Sequence, residues 1–233
     1  MNNKIEIFSD YAYKFKVPDY KTLNENLISE IYTLKEENEQ GLFRSNYGGW
    51  HSKEFNRIIK NNEVDAGLKM KMKTSGTGWY SEYGNKNFKD LTKIISNFFS
   101  KEILNIDGII EPCTLWALVN GKDDYNEGHT HGRDTYYSGV YYVKIPKNSG
   151  NLYFMDMHWD PHLMVSYPDI YKSDKSIKEV EIKSEEGDLY LFKGKVPHRV
   201  GKNFSNEDRI SISFNFKYRD IVEQCKGKDI KWD

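Results

Sequence analysis

Toward its C-terminal end the chain reads Arg209-Ile-Ser-Ile-Ser-Phe-Asn-Phe216. Arg209, Ser211, Ser213 and Asn215 alternate strictly with Ile210, Ile212, Phe214 and Phe216. Successive side chains of a strand point to opposite faces, so one face of this segment is wholly polar and the other wholly apolar. The apolar face demands a partner layer. The polar face belongs either in water, as on a half-exposed edge strand, or on the wall of a polar site. An arginine that opens an Arg-x-Ser pattern favours the site, because guanidinium and hydroxyl together can clamp a small carboxylate.

Upstream, the pattern divides the chain. Leu23, Leu27, Ile28, Ile31 and Leu34 recur at helical spacing and predict an amphipathic helix over about 21–38, after an extended lead-in ending near Pro18. Phe88, Leu91, Ile94, Ile95, Phe98, Phe99 and Ile103 predict a second helix. From Ile109 onward the period changes to two, with β-branched and aromatic residues, and strands are expected near 110–119, 137–146, 151–156, 178–183, 188–193 and 208–218. Many short strands after two helices imply a β-sandwich or jelly roll with the helices packed on one face. No repeat or linker interrupts the chain, so residues 1–233 are expected to form a single domain. In it, 1–108 would be a helical and extended support, 109–218 the jelly-roll core and 219–233 a C-terminal tail.

Composition narrows the partners. Lys and Arg (34) balance Asp and Glu (35), so no global charge draws the chain to nucleic acid or an anionic membrane, although a local basic groove stays compatible with the balance. Two cysteines, Cys113 and Cys225, are too few for a disulfide framework and suit a reducing compartment. No apolar run is long enough to span a bilayer, and no signal peptide is evident at the start, so a cytoplasmic protein is expected.

The chemistry centres on histidine. His129 and His131 are separated by one residue, and on a strand they would share a face and could grip one metal ion if a third ligand arrived. His198 follows the strand Gly187-Asp-Leu-Tyr-Leu-Phe-Lys193. If that strand formed an antiparallel hairpin with 209–216, Arg209 would lie beside His198. Asp156, His158 and His162 have spacing that would suit a second metal site, though surface roles are favoured for them. Tyr47, Trp50 and Trp116 are candidates either for core packing or for a substrate wall.

Taken in order, His129-Thr-His131, Ser138-Gly-Val-Tyr-Tyr-Val143, the Gly187-Asp-Leu-Tyr-Leu-Phe strand, His198 and Arg209-Ile-Ser211 resemble the 2-oxoglutarate and iron(II)-dependent oxygenases. The likeness is to their bacterial and phage branch, which carries a loop similar to Ser45-Asn-Tyr-Gly-Gly-Trp-His-Ser52. It spans roughly residues 42–216 and implies a mainly β, α+β fold: a double-stranded β-helix of cupin-like jelly-roll type. It also implies that iron(II), 2-oxoglutarate and dioxygen serve a dioxygenase that hydroxylates a small-molecule or peptidyl substrate and releases succinate and carbon dioxide. A protein side chain or a free amino acid is the favoured substrate. By the resemblance, His129 and His198 match the family's two metal histidines. His131 stands where most members have Asp or Glu, and Asp134 is the alternative carboxylate. Arg209 matches the partner of the distal 2-oxoglutarate carboxylate, assisted by Ser211 and Tyr142. The departure at 131 keeps two other readings open: a catalytically silent jelly-roll binding module, and a three-histidine cupin-type metal enzyme that uses no 2-oxoglutarate.

Overall fold

The computed structural model describes residues 10–56, 86–132, 134–156 and 179–226. In chain order the elements are β1 (Ala12–Lys16), α1 (Tyr20–Glu37), β2 (Asn46–Tyr47), β3 (Trp50–His51), β4 (Phe55–Asn56), α2 (Lys86–Phe98), β5 (Thr114–Asn120), β6 (Tyr125–His129), β7 (Thr135–Lys144), β8 (Leu152–Met155), β9 (Glu179–Ile182), β10 (Asp188–Lys193), β11 (His198–Val200), β12 (Arg209–Lys217) and α3 (Tyr218–Cys225). Among the described residues the strands form two antiparallel sheets. The larger runs β1-β10-β7-β12-β5-β3, with β4 also on β5, and the smaller runs β2-β6-β11-β8-β9. This is the expected jelly roll.

The apolar face of β12 carries the main core. Ile210, Ile212, Phe214 and Phe216 are fully buried against Leu27 and Ile31 of α1 and Phe88, Leu91 and Ile95 of α2. Both helices therefore cover the outer face of the larger sheet, as their spacing predicts. Each apolar side chain buried there contributes about 1.5–3 kcal/mol. Asn24 fixes α1 to the sheet: its Nδ2 donates to the Val143 carbonyl at 2.7 Å and its Oδ1 accepts from the Tyr141 hydroxyl at 2.6 Å. Gly139 has a packing reason, since a Cβ there would collide with the Phe214 ring and the Tyr190 carbonyl. The second helix runs on past Phe98 as a wider coil over Phe99–Ile103, closed by Leu104 N–H donating to Phe99 O at 3.0 Å.

Three expectations change. β10 and β12 do not form a hairpin, because β7 lies between them and pairs with both. The chain leaves the larger sheet after Lys193, contributes His198–Val200 to the smaller one, and only then returns as β12. His198 and Arg209 thus sit in opposite sheets. The extended lead-in contains a true edge strand, β1, paired to β10. Finally, the tail begins with a helix, in which Asp220, Ile221 and Gln224 are buried. The expected turn at 74–78 lies outside the described residues.

Edge strand β1 is held electrostatically as well as by its ladder. The Asp188 side chain, only 1% exposed, takes Lys14 Nζ at 2.9 Å and Lys16 Nζ at 3.1 Å. Burial would raise its pKa, but the Lys14 and Lys16 contacts and the Glu185 backbone N–H outweigh it and hold the carboxyl below its ordinary value. A depressed carboxylate stabilises the fold above its ordinary pKa and loses that contribution as pH falls through the folded-state value. Asp188→Asn is expected to cost about 1–2 kcal/mol at pH 7. The gap from wild type should close below about pH 4 in urea melts, and a constant gap across pH would contradict this assignment.

Candidate functional site

The smaller sheet brings the histidines together. β6 and β11 are antiparallel neighbours with His129 directly opposite His198. β6 ends at His129, so His131 does not share a strand face with it, contrary to expectation. Instead the chain turns, and His131 N–H donates to Gly194 O at 2.9 Å, which folds its ring back over the pair. Ring centroids lie 4.4 Å apart for His129 and His198, 5.1 Å for His131 and His198, and 5.4 Å for His129 and His131. One nitrogen from each falls within 4.8 Å of the others, and this is the metal-ligand cluster found among the described residues.

The protonation states suit ligation. His129 Nδ1 sits 2.7 Å from Glu127 O, and His198 Nδ1 sits 2.9 Å from Val196 O. A carbonyl only accepts, so both Nδ1 atoms carry hydrogen and both Nε2 atoms keep a lone pair. His131 Nε2 approaches His198 Nε2 to 3.3 Å. Burial lowers the pKa of all three rings, with His131 further depressed by His129 to about 3 and His198 depressed by both neighbours. At neutral pH they present three uncharged nitrogen donors, a set that suits a first-row divalent metal, iron included.

Asp134 does not join them. Its exposed carboxylate pairs with Lys217 Nζ at 3.2 Å, and no Asp or Glu belongs to the cluster among the described residues. Asp156 is likewise outside it, and His158 and His162 lie outside the described residues.

The histidines open onto a cavity of about 350 Å³ between the two sheets. Its floor is the polar face of β12: Arg209, Ser211, Ser213 and Asn215 all line it. Register arranges the floor in rows, with Arg209 opposite Asn120, Ser211 between Leu118 and Tyr142, Ser213 between Trp116 and Val140, and Asn215 beside Ser138. The metal cluster stands over the far rows, where Trp116 packs 6.1 Å from His131 and Phe192, opposite Ser138, packs 4.7 Å from His198. Arg209 holds the other end.

Arg209 is among the largest fully buried side chains. Its Nη1 donates to the Ser149 and Gly201 carbonyls, while its buried Nη2 has no hydrogen-bond partner among the described residues. No carboxylate lies within ion-pair distance among the described residues. Burial lowers its pKa, partly offset by Tyr142 and Asp124. A buried guanidinium with an idle donor is costly unless an anion completes it. Tyr142 faces the same end, its hydroxyl pushed up by burial and pulled back by the Arg209 charge.

Of the aromatic candidates, Trp116 lines the cavity. Trp50 is instead core, its Nε1 donating to Asn38 O at 2.7 Å, and Tyr47 is 59% exposed, stacked on Tyr125. Sequence reasoning missed Arg44, His51, Glu54, Asn126 and Ser138 on the wall. For Ser138 the signal was available, since it shares the inward parity of Val140 and Tyr142. For the others it was not: His51 lies on the two-residue β3, which carries no readable period, Arg44 and Glu54 lie outside any strand, and Asn126 is on β6, which is absent from the expected strands.

Residues 114–215 match the family described as "Putative 2OG-Fe(II) oxygenase". This segment, somewhat under half of the chain, is similar to the 2OG-Fe(II) oxygenases. Similar solved structures include a Pseudomonas putida prolyl-4-hydroxylase (13% identity, 90% of this chain and 93% of that one, TM-score 0.53). Another is a prolyl hydroxylase from Trichoplax adhaerens in complex with a hypoxia inducible factor peptide fragment (14%, 91% and 86%, TM-score 0.57). A third is the non-heme alpha ketoglutarate dependent carbocyclase SnoK from nogalamycin biosynthesis (10%, 89% and 79%, TM-score 0.58). At such identities the likeness establishes the jelly-roll fold. No curated protein matches the chain. The oxygenase family implies iron(II), 2-oxoglutarate and dioxygen, and the histidine cluster fits the iron. No helix among the described residues is long and apolar enough to cross a membrane.

Loss of one nitrogen donor should be decisive. His198→Ala is expected to weaken cobalt(II) binding by about 100-fold or more, while Asp134→Asn leaves it unchanged. Cobalt absorption titrations check both, and a weakened Asp134→Asn would return the carboxylate to the metal.

Proposed function

We propose that the protein is an iron(II)- and 2-oxoglutarate-dependent dioxygenase that hydroxylates a C–H bond of an amino acid or protein side chain. One oxygen atom of O2 enters the substrate and the other enters succinate, as 2-oxoglutarate loses carbon dioxide. The observation that carries this reading is the idle, buried Nη2 of Arg209 in the same cavity as three neutral histidines. The substrate class draws on the prolyl hydroxylases among the structural neighbours.

In this reading His129, His131 and His198 hold the iron. Bound there, the metal supplies the activation of dioxygen. Arg209 takes the distal carboxylate of 2-oxoglutarate through Nη2, with the Ser211 and Tyr142 hydroxyls beside it. The carbonyl clamp on Nη1 keeps the guanidinium from turning away. Trp116, Leu118, Val140 and Phe192 supply the apolar walls that limit water between co-substrate and metal. The Nδ1–H bonds to Glu127 O and Val196 O fix the ring orientations before any metal arrives.

His131 in place of a carboxylate is the feature that favours a three-histidine cupin-type enzyme using no 2-oxoglutarate. Arg209 separates the two readings. Succinate release from 2-oxoglutarate, with iron(II), ascorbate and air, should be measurable in the wild type. Arg209→Lys should raise the KM for 2-oxoglutarate by about tenfold or more, since a planar donor whose orientation the Nη1 carbonyl contacts fix is replaced by a flexible point charge. Retained metal binding with no 2-oxoglutarate binding would support the cupin-type reading instead.

A further inference from the structure

The Ser45–Ser52 loop, which the metal and co-substrate sites do not use, is built with care. Asn46 is 4% exposed and organises it: Oδ1 accepts from Arg44 N–H at 2.7 Å, and Nδ2 reaches Leu42 O, Gly48 O and Gly49 O at 3.1–3.3 Å. Gly48 and Gly49 have φ of +65° and +63°, a left-handed pair that side chains disfavour. β2 pairs with β6, and Glu127 N–H donates to Ser45 O at 2.8 Å, so the loop is fixed to the strand that ends in His129. The loop and the residues that flank it contribute Arg44, His51 and Glu54 to the wall of the metal cavity.

Apart from Arg209 and the histidines, Arg44 and Glu54 are the charged side chains lining that cavity among the described residues. They form one loose pair, Arg44 Nε to Glu54 Oε1 at 3.6 Å, with side chains 56% and 37% exposed. A pair of this kind contributes at most about 1 kcal/mol to folding, so opening it costs little. A ligand carrying one charge would strip one member of its partner and be repelled by the other. A ligand carrying both charges on neighbouring atoms can replace each partner with its own. His51 adds an acceptor on the same wall: Nδ1 lies 2.7 Å from Ser52 O and carries hydrogen, which leaves Nε2 with its lone pair.

We propose that Arg44 and Glu54 form the head-group subsite of the substrate and that the substrate is a free α-amino acid, held as its zwitterion. Arg44 takes the α-carboxylate and Glu54 the α-ammonium. The side chain then extends along the apolar wall past Trp116 toward the histidines. The cavity suits this size, since about 350 Å³ shared with 2-oxoglutarate leaves room for one small molecule. A residue within a peptide carries neither charge at its α-carbon. The inference rests on the dioxygenase reading and narrows its substrate.

The test uses full-length protein loaded anaerobically with iron(II) and 2-oxoglutarate. The proteinogenic L-amino acids, with their N-acetyl and α-amide derivatives, are assayed by thermal shift and, after admission of air, by succinate release. At least one free amino acid should bind and raise succinate release, and either cap should weaken its binding about tenfold or more, the scale of one charged hydrogen bond. Arg44→Gln should weaken the free amino acid similarly yet bind the α-amide as wild type does. Glu54→Gln should show the same indifference to the N-acetyl cap. Melting curves of both variants confirm folding. Capped derivatives or short peptides that bind as well as the free acid overturn the proposal. So does the absence of any amino acid binding in a protein that binds 2-oxoglutarate. Failure to bind 2-oxoglutarate overturns the dioxygenase reading itself, and this inference with it.

Discussion

The two-faced strand β12 is the constraint on which the rest of the molecule depends. It is a central strand whose edges are both paired, and its two faces make opposite demands. Ile210, Ile212, Phe214 and Phe216 can be buried only if α1 and α2 cover the sheet from outside. Arg209, Ser211, Ser213 and Asn215 can then be accommodated only if the second sheet stands off and leaves a polar-floored cavity. Fold and site are in this sense one solution to a single alternating pattern. Gly139, which admits the Phe214 ring, shows how tightly the apolar side of that solution is packed.

The cavity is electrostatically unbalanced in a way that selects its contents. One end holds a buried guanidinium that, among the described residues, is met by carbonyls on Nη1 and by nothing on Nη2. The other holds three imidazoles that burial keeps neutral, so a divalent metal there would keep its full charge. An ordinary triad with a carboxylate would cancel part of that charge. A dicarboxylate co-substrate supplies an anion to both ends at once. The third charged feature, the Arg44–Glu54 pair, is neutral in sum, which is why it speaks to a different ligand.

Much of this is legible in the sequence. The strand alternation and both helices follow from period, the set His129, His131, His198, Arg209, Ser211 and Tyr142 follows from motif and from the resemblance to the oxygenases, and the structure lines one cavity with all six. What failed to follow was topology. Adjacent strands joined by a loop invite a hairpin, yet β7 separates β10 from β12, because a jelly roll sends the chain to the second sheet between them. Strand period also placed His131 on the face of His129, whereas the ring arrives from beyond the strand end through the Gly194 contact. β6 and β11 are absent from the expected strands, since Tyr-Asn-Glu-Gly-His and His-Arg-Val carry little alternating β-forming character and their pairing within the smaller sheet is what makes them strands. Arg44 and Glu54 reach the wall through tertiary placement alone.

The central claim is that metal and 2-oxoglutarate occupy one cavity as a joined pair. The most direct measurement is a calorimetric titration of 2-oxoglutarate into metal-free protein and into the same protein loaded with manganese(II), without oxygen. If the co-substrate bridges Arg209 and a histidine-held metal, its affinity rises by about tenfold or more on loading, and by reciprocity 2-oxoglutarate tightens the metal equally. Equal affinity with and without metal would place the two ligands in unconnected sites and contradict the account.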